Sequence, residues 1–290
     1  MSIMPESIAG HASSPGHTFQ DVVIRRRNAV DLLRNQLIDR HGKDRYNDPS
    51  DQRVVFGSTL VDVAPNMTLL HETAELVMLI MEHTHWQVRL LSKSPLLAKL
   101  VDLIPQKYWG RLILGFSTGT LDDAVARTIE VGTGLVSKRI EALHSLQDRG
   151  IRTFAMICPS LPQTDYVAFS KSLCEALRID QCEHVWAEVL NVRGSALPNT
   201  IGSLRHAGLL DEANLLEKAF ATDDAWEDYA RQTFEAHTLH VPPAKLRFLQ
   251  YPDRKHLGWW AQQRQRGAFL LGKHAKDAGL TTVITSAEGA

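Results

Sequence analysis

The stretch Gln87-Val-Arg-Leu-Leu-Ser92, with Ser94-Pro95 after it, and then Arg111-Leu-Ile-Leu-Gly-Phe-Ser117 decides the fold class. Each run is a short apolar strand that ends on a small hydroxyl residue. Ser94-Pro95 can start a helix between them, Ser as cap and Pro in the first turn. The same unit extends in both directions. Arg53-Val-Val-Phe-Gly-Ser58 reads as a strand and Thr68 to Thr84 as a helix, with Leu69, Thr73, Leu76, Val77 and Ile80 on one stripe. Downstream, Thr120 can cap a short helix through Thr128 and Ser137 to Arg149 reads as a longer one. Ile151 to Cys158 is a strand, Asp165 to Leu177 a helix and His184 to Leu190 a strand. Strand and helix alternate at least four times, which calls for an α/β fold with a parallel sheet and helical crossovers, either closed as a barrel or open and doubly wound.

Outside this repeat the character changes. Residues 1 to 24 read as an N-terminal arm, rich in Ser, Gly, His and Pro, with Phe19 to Ile24 a short strand; Asn28 to Leu37 reads as a helix. Residues 25–200 form the α/β unit. Residues 201–290 read as a mostly helical C-terminal extension, with helices over Ser203 to Ala221, Asp224 to His240 and Trp259 to Lys273 and a late strand over Lys245 to Gln250.

Composition bounds the function. The chain has 290 residues, 44% hydrophobic and 22% charged, with formal net charge -1, so neither a basic nucleic-acid coat nor an acidic tail is its main business. The longest apolar run, Leu76 to Met81, is far short of the roughly 20 residues of a spanning helix, and no secretory signal is visible. Three cysteines, Cys158, Cys174 and Cys182, are too few for a disulfide scaffold, which points to a reduced, cytoplasmic setting. No C-x-x-C pair is present.

Ligands of parallel α/β folds bind beyond the carboxyl ends of the strands. Those ends are Ser58 to Asp62, Ser92-Lys93-Ser94, Ser117-Thr118-Gly119-Thr120, Cys158-Pro159-Ser160 and Glu188-Val189-Leu190-Asn191. The hydroxyls and Lys93 can hold a carboxylate, ribose or phosphate, and Glu188 an ammonium or a ribose hydroxyl; helix caps and loop polars are the bland alternative. Other features carry less. Gly132-Thr-Gly134 is a turn between helices rather than a phosphate loop. His237 and His240 could share a metal but have no third ligand. His83 and His85 end a helix. Trp259-Trp260 with Arg254, Lys255, Arg264 and Arg266 mixes aromatic and basic residues as single-strand binders do, or forms one amphipathic helix. Cys158 has no obvious base beside it.

From Arg25 to Asn191 the chain resembles the spore photoproduct lyase-like, or DNA repair photolyase-like, branch of the radical S-adenosylmethionine enzymes. The residues that carry this are Asn28-Ala-Val-Asp-Leu-Leu33, Val54-Val-Phe-Gly-Ser-Thr-Leu-Val-Asp62 with Pro65-Asn66, Arg89-Leu-Leu-Ser-Lys-Ser94, and Gly115-Phe-Ser117 followed by Thr120-Leu-Asp-Asp-Ala-Val-Ala-Arg127. Glu130-Val-Gly-Thr-Gly134, Lys138-Arg-Ile-Glu-Ala-Leu143 and Gly150-Ile151 to Pro159 continue it in order. The resemblance implies a partial (β/α)6 TIM-like barrel that binds S-adenosylmethionine and a [4Fe-4S] cluster. It implies reductive cleavage of that cofactor and hydrogen-atom abstraction from a nucleic-acid or small-molecule substrate, with flavodoxin or ferredoxin as reductant and no membrane partner. The positions matching cofactor contacts are Ser58, Lys93 and Ser117; Glu188 and Asn191 are added for the amino-acid or ribose end.

Two departures stand against the family pattern. Its C-x-x-x-C-x-x-C cluster motif is absent, and the matching point falls just before Met1, so the first barrel strand and cluster loop are expected to be missing from this chain. Where photoproduct lyase proper has a hydrogen-donating cysteine, before the serine matching Ser58, this chain has Gly57. Two other functions stay open: a non-catalytic remnant that binds a nucleotide-like ligand or a partner, and an unrelated barrel enzyme using Lys93 and Glu188 in acid–base or phosphate work.

Overall fold

A computed structural model describes residues 28–57, 62–191 and 196–282. The arm over 1–24, its strand Phe19 to Ile24, and Ser58 lie outside the described residues.

Seven strands form one sheet: β1 (Val54–Gly57), β2 (Gln87–Ser92), β3 (Leu112–Ser117), β4 (Arg152–Ser160), β5 (Cys182–Val189), β6 (Leu246–Gln250) and β7 (Ala268–Leu270). Each strand pairs in parallel with the next in the chain. This order never reverses, so the sheet is wound in one direction. A parallel sheet with every crossover of one hand curls, which gives a partial barrel rather than a doubly wound sheet, with β1 and β7 outermost among the described strands. The strands expected to end near Ser92, Ser117, Cys158 and Leu190 are parallel neighbours; β4 runs on to Ser160 and β5 stops at Val189.

The crossovers are helical. α1 (Ala29–Leu37) packs on α2 (Met67–His83). A 3-10 turn over Pro95–Lys99 leads into α3 (Leu100–Leu103). Next come α4 (Asp123–Ile129), α5 (Val136–Asp148) and α6 (Tyr166–Ala176). Between β5 and β6 lie α7 (Ala196–His206), α8 (Leu210–Ala219) and α9 (Asp223–His240), and α10 (Leu257–Gln262) and α11 (Gly272–Asp277) flank β7. Side-chain caps fix several starts: Asn66 accepts from Leu69 N at 3.0 Å, Asp165 from Ala168 N at 2.9 Å and Thr222 from Ala225 N at 3.1 Å. Each such cap is worth about 1 kcal/mol. Asp122, not Thr120, caps α4, because its carboxylate reaches both Ala124 N and Val125 N.

The core lies between the helices and the outer face of the sheet, where Val88, Leu90, Leu112, Leu114, Phe116, Val185, Ala187 and Phe248 are buried. Alternation along the strands sends Arg89, Ile113, Ser117, Phe154, Cys158, Trp186 and Glu188 to the other, concave face. There Phe154 lies across β3, and a Cβ on Gly115 would come within 2.5 Å of its ring. Only glycine fits under that phenyl group.

Four expectations are corrected. The sheet has seven strands rather than six, and 201–290 is not simply a helical extension, since it supplies β6 and β7 to the same sheet. The helix expected over Trp259 to Lys273 is interrupted at Gly267, which takes φ 105°. A Cβ there would sit 2.8 Å from Leu246 Cβ and 2.9 Å from its carbonyl oxygen. The α-helix has already ended at Gln262, a 3-10 turn over Arg264–Arg266 follows, and the chain reverses at that glycine so that Ala268-Phe269-Leu270 pairs with β6. Gly208, at φ 78°, likewise divides the helix expected over Ser203 to Ala221 into α7 and α8.

Candidate functional site

The carboxyl ends of the strands converge on one rim, and an acid from the loop after β1 begins its construction. Asp62 Oδ1 accepts from Ser92 Oγ at 2.7 Å and from Ala64 N at 2.8 Å, and its Oδ2 accepts from Lys93 N at 2.8 Å. The end of β2 is thereby clamped to the β1–α2 loop. Lys93 O accepts from Gly134 N at 3.1 Å. A Cβ on Gly134 would lie 2.4 Å from Pro95 Cδ, so this close approach of two loops requires glycine.

The Lys93 ammonium pairs with Glu130 Oε1. The second oxygen of Glu130 is 2.7 Å from Arg139 Nη2. Arg139, only 1% exposed, also donates to Gly134 O at 2.8 Å, Thr133 Oγ1 at 2.7 Å and Ser117 O at 2.7 Å. Lys93 and the end of β3 are thus joined through a buried carboxylate–guanidinium pair. Both loops between β3 and α5 are held by it.

Ser117 Oγ donates to Cys158 O at 3.0 Å, tying β3 to β4. The Cys158–Pro159 peptide is cis, and Gly119 lies against the Pro159 carbonyl that follows it; a Cβ on Gly119 would fall 1.6 Å from Pro159 O. Cys158 Sγ is 3.7 Å from Glu188 Oε2, and Asn191 Nδ2 donates to Glu188 Oε1 at 2.5 Å. Burial, then the negative charge of Glu188, pushes the Cys158 thiol up to about 12, while Lys93 acts in the opposite sense. From the C-terminal half, Tyr229 accepts from Leu190 N at 3.0 Å and donates to Ser160 O, and Trp226 Nε1 donates to Leu190 O at 3.0 Å. α9 therefore braces the ends of β4 and β5.

Lys93, Ser117, Glu188 and Asn191 are all at this rim; Ser58 is outside the described residues. Lys93 was expected to be the principal cation of the site, and it is present but charge-balanced by Glu130. Sequence reasoning missed the roles of Glu130 and Arg139. Their signal was the glycine pair Gly132 and Gly134, the first at φ 81°, which folds the β3–α5 connection back onto Lys93. Sequence reasoning finds no base beside Cys158, and the structure puts the Glu188 carboxylate against its thiol.

The minor candidates have structural partners. His83 Nδ1 is 2.7 Å from Asp44 Oδ1 and His85 Nε2 is 2.9 Å from Asn47 Oδ1. His237 is buried with its Nδ1 2.8 Å from Ser170 Oγ. Among the described residues, no group of three or more His, Cys, Asp or Glu side chains could hold a metal. Trp260 is fully buried and donates to Glu227 Oε1 at 2.8 Å, while Arg231 stacks 4.5 Å from the Trp259 ring and Arg266 pairs with Glu235. Trp260 is thus folded inward and Arg266 and Lys255 are paired with acids, whereas Arg254 and Arg264 are exposed.

The three cysteines do not fit an iron–sulfur cluster. Cys158 is at the carboxyl end of β4, Cys182 at the amino end of β5, and Cys174 in α6. Cys158 faces Glu188 near the far end of β5, which puts it about 20 Å from Cys182 at 3.3 Å per residue. Cys174 and Cys182 are buried, and burial pushes both thiols up to about 11. At the rim Lys93 pairs with Glu130, Glu188 accepts from Asn191, and Ser117 Oγ donates to Cys158 O. A cleft of about 410 Å³ lined by Cys174, His240 and Lys245 lies toward the amino ends and shares none of these residues.

No family model matches the chain, and no curated protein does. Among solved structures it is similar to the HpcH/HpaI aldolase from Desulfitobacterium hafniense DCB-2, with 12% identity over 89% of this chain and 86% of that one and a TM-score of 0.34.

Proposed function

We propose that the carboxyl rim binds S-adenosylmethionine and that this chain is the cofactor-binding partial barrel of a radical S-adenosylmethionine-type protein. The observation that carries the proposal is the placement of Lys93 and Glu188 on either side of Cys158, two opposite charges on different strands joined by one electrostatic network. An amino-acid cofactor carries a matching pair of charges. In the family that the sequence resembles, the cofactor supplies a radical that takes a hydrogen atom from substrate. Cys158, Cys174 and Cys182 do not furnish the cluster for that step, so the part proposed for this chain is to bind and orient the cofactor. A nucleic-acid or small-molecule substrate and a flavodoxin or ferredoxin reductant belong to the same proposal. The dispersed cysteines favour a second reading, a non-catalytic remnant that keeps the ligand site.

Calorimetric titration with S-adenosylmethionine tests the binding. Replacing Lys93 with Met keeps length and removes charge, and it should weaken binding about tenfold or more, since a charge-assisted contact is worth roughly 1.5–3 kcal/mol. Glu188→Gln should act similarly. Equal affinity in wild type and both variants refutes the site. Anaerobic reconstitution with iron and sulfide separates the two readings: a stable cluster on this chain supports the catalytic one and overturns the fit argument above.

A further inference from the structure

The opposite end of the concave face is built differently from the rim. At the amino ends of β2, β4, β5 and β6 it gathers Arg89, Arg152 and Arg247 around His184 and Trp186. The register explains the grouping: Arg89 and Arg152 both face Ile113 on β3, and Trp186 is the Cα partner of Arg247. A register shift opposite Thr153 and Ala155 puts an extra residue into β5 between Cys182 and Val185, which brings Glu183 and His184 to the same face. Glu183 answers two of the guanidiniums, pairing with Arg152 Nε and lying 3.7 Å from Arg89 Nη2. Arg152 also donates to Gln87 Oε1 at 2.6 Å, and Arg247 to Ala244 O and Leu246 O at 2.9 and 3.0 Å.

Among the described residues of this floor, the His184 ring, Trp186 Nε1 and Glu183 Oε2 make no hydrogen bond. His184 is 7% exposed, and neither ring nitrogen has a hydrogen-bond partner. Trp186 Nε1, a donor and nothing else, is buried without an acceptor. Trp186 and Arg247 are held beside each other on Phe269, its ring 6.0 Å from Trp186 and 5.0 Å from the Arg247 guanidinium. Buried donors rarely stay unsatisfied, and one left so costs about as much as a lost hydrogen bond. Trp186 Nε1 and His184 lack an acceptor. Glu183 Oε2 also has no hydrogen bond, but its carboxylate already faces Arg89 and Arg152. With Arg247 the guanidiniums outnumber it, which makes a negatively charged acceptor the best match.

We propose that the amino-end floor of the barrel is a second ligand site, separate from the rim, that holds a phosphate-type oxyanion between Trp186 Nε1, the His184 ring and Arg247. The side chains of Arg152 and Glu183, 27% and 22% exposed, mark where solvent reaches it. The site is independent of S-adenosylmethionine binding. Burial, followed by Arg247, Arg89, Lys245 and Arg152, lowers the His184 ring to about 4, so it stands neutral with a single N–H. A bound dianion reverses that field.

The test uses the whole chain and titrates inorganic phosphate, methyl phosphate and sodium chloride at constant ionic strength, with calorimetry and the His184 ring resonances as readouts. Saturable binding of phosphate or methyl phosphate, with an upward shift of the His184 titration, is the expected result. Tighter binding of methyl phosphate assigns the site to an ester, and tighter binding of inorganic phosphate to the free ion. Arg247→Gln should weaken binding about tenfold or more, and Trp186→Phe, which keeps the ring on Phe269, about fivefold. Lys138→Gln, an exposed charge on α5, should change nothing. Absence of saturable binding overturns the proposal, as does equal loss in Lys138→Gln and Arg247→Gln.

Discussion

Replacing Arg139 with Met would test the network that holds the rim. The side chain keeps its length and most of its packing but loses four hydrogen bonds, to Glu130, Thr133, Gly134 and Ser117. Removing one partner of a buried ion pair costs about 3–5 kcal/mol, because the other charge stays buried. Glu130, at 9% exposure, would keep Lys93 as its remaining counter-charge, which places the expected loss near 3 kcal/mol rather than 5. With a urea slope of about 3 kcal/mol/M, the unfolding midpoint should fall by about 1 M. Equilibrium urea unfolding followed by circular dichroism measures it, and the slope should be unchanged. Glu130→Gln in the Arg139→Met background should then cost less than Glu130→Gln alone, since the two residues act as a pair. A midpoint within about 0.3 M of wild type, or strict additivity in the double variant, would refute the argument.

Gly119→Ala should leave little soluble folded protein, because its Cβ would overlap the Pro159 carbonyl at 1.6 Å; the soluble fraction and the unfolding midpoint check this. Tyr229→Phe strips the partner from Leu190 N and Ser160 O and should destabilise the fold by about 2–3 kcal/mol in urea unfolding. Burial lowers both His237 and His184 to about 4, against about 6.5 in the unfolded chain. The unfolded state therefore binds more protons between those values. Stability should be steady above pH 6.5 and fall as pH drops toward 4, by up to about 1.4 kcal/mol per unit for each ring. His237→Gln should flatten that slope in melts run across the range, and an unchanged slope would contradict it.

The order of the first five strands was legible because β1 to β4 are short apolar runs that end at or just before a serine, β5 carries Glu188 near its end, and a side chain caps a helix in each of the first five crossovers. The rim was legible for the same reason, since parallel strands deliver their last residues to one edge. What the sequence concealed depends on backbone angles and on charge partners distant in the chain. Nothing local marks Gly267 as left-handed, so Ala268-Phe269-Leu270 reads as a continuation of a helix until the close packing of Gly267 on Leu246 is seen. Arg139 has the spacing of an ordinary helical residue, and its reach to Ser117 and Glu130 follows from how the Gly132–Gly134 turn folds. His184 looks like one more alternating strand residue, and its isolation depends on a register shift between two strands.

The strictly sequential pairing of the sheet also governs how the chain assembles during synthesis. Every strand finds its partner in the one just completed, so the sheet can grow from β1 onward as residues emerge. The interval from Val189 to Leu246 is the longest between consecutive strands. Loop closure makes this a small thermodynamic burden, since each doubling of length costs only about 0.6 kcal/mol. Its effect is on timing: β6 must wait for α7, α8 and α9, and until then β5 is an open edge. Tyr229 and Trp226, which reach the end of β5 from α9, are synthesised before β6. The sequence thus delivers a brace for that exposed strand before it delivers the neighbour.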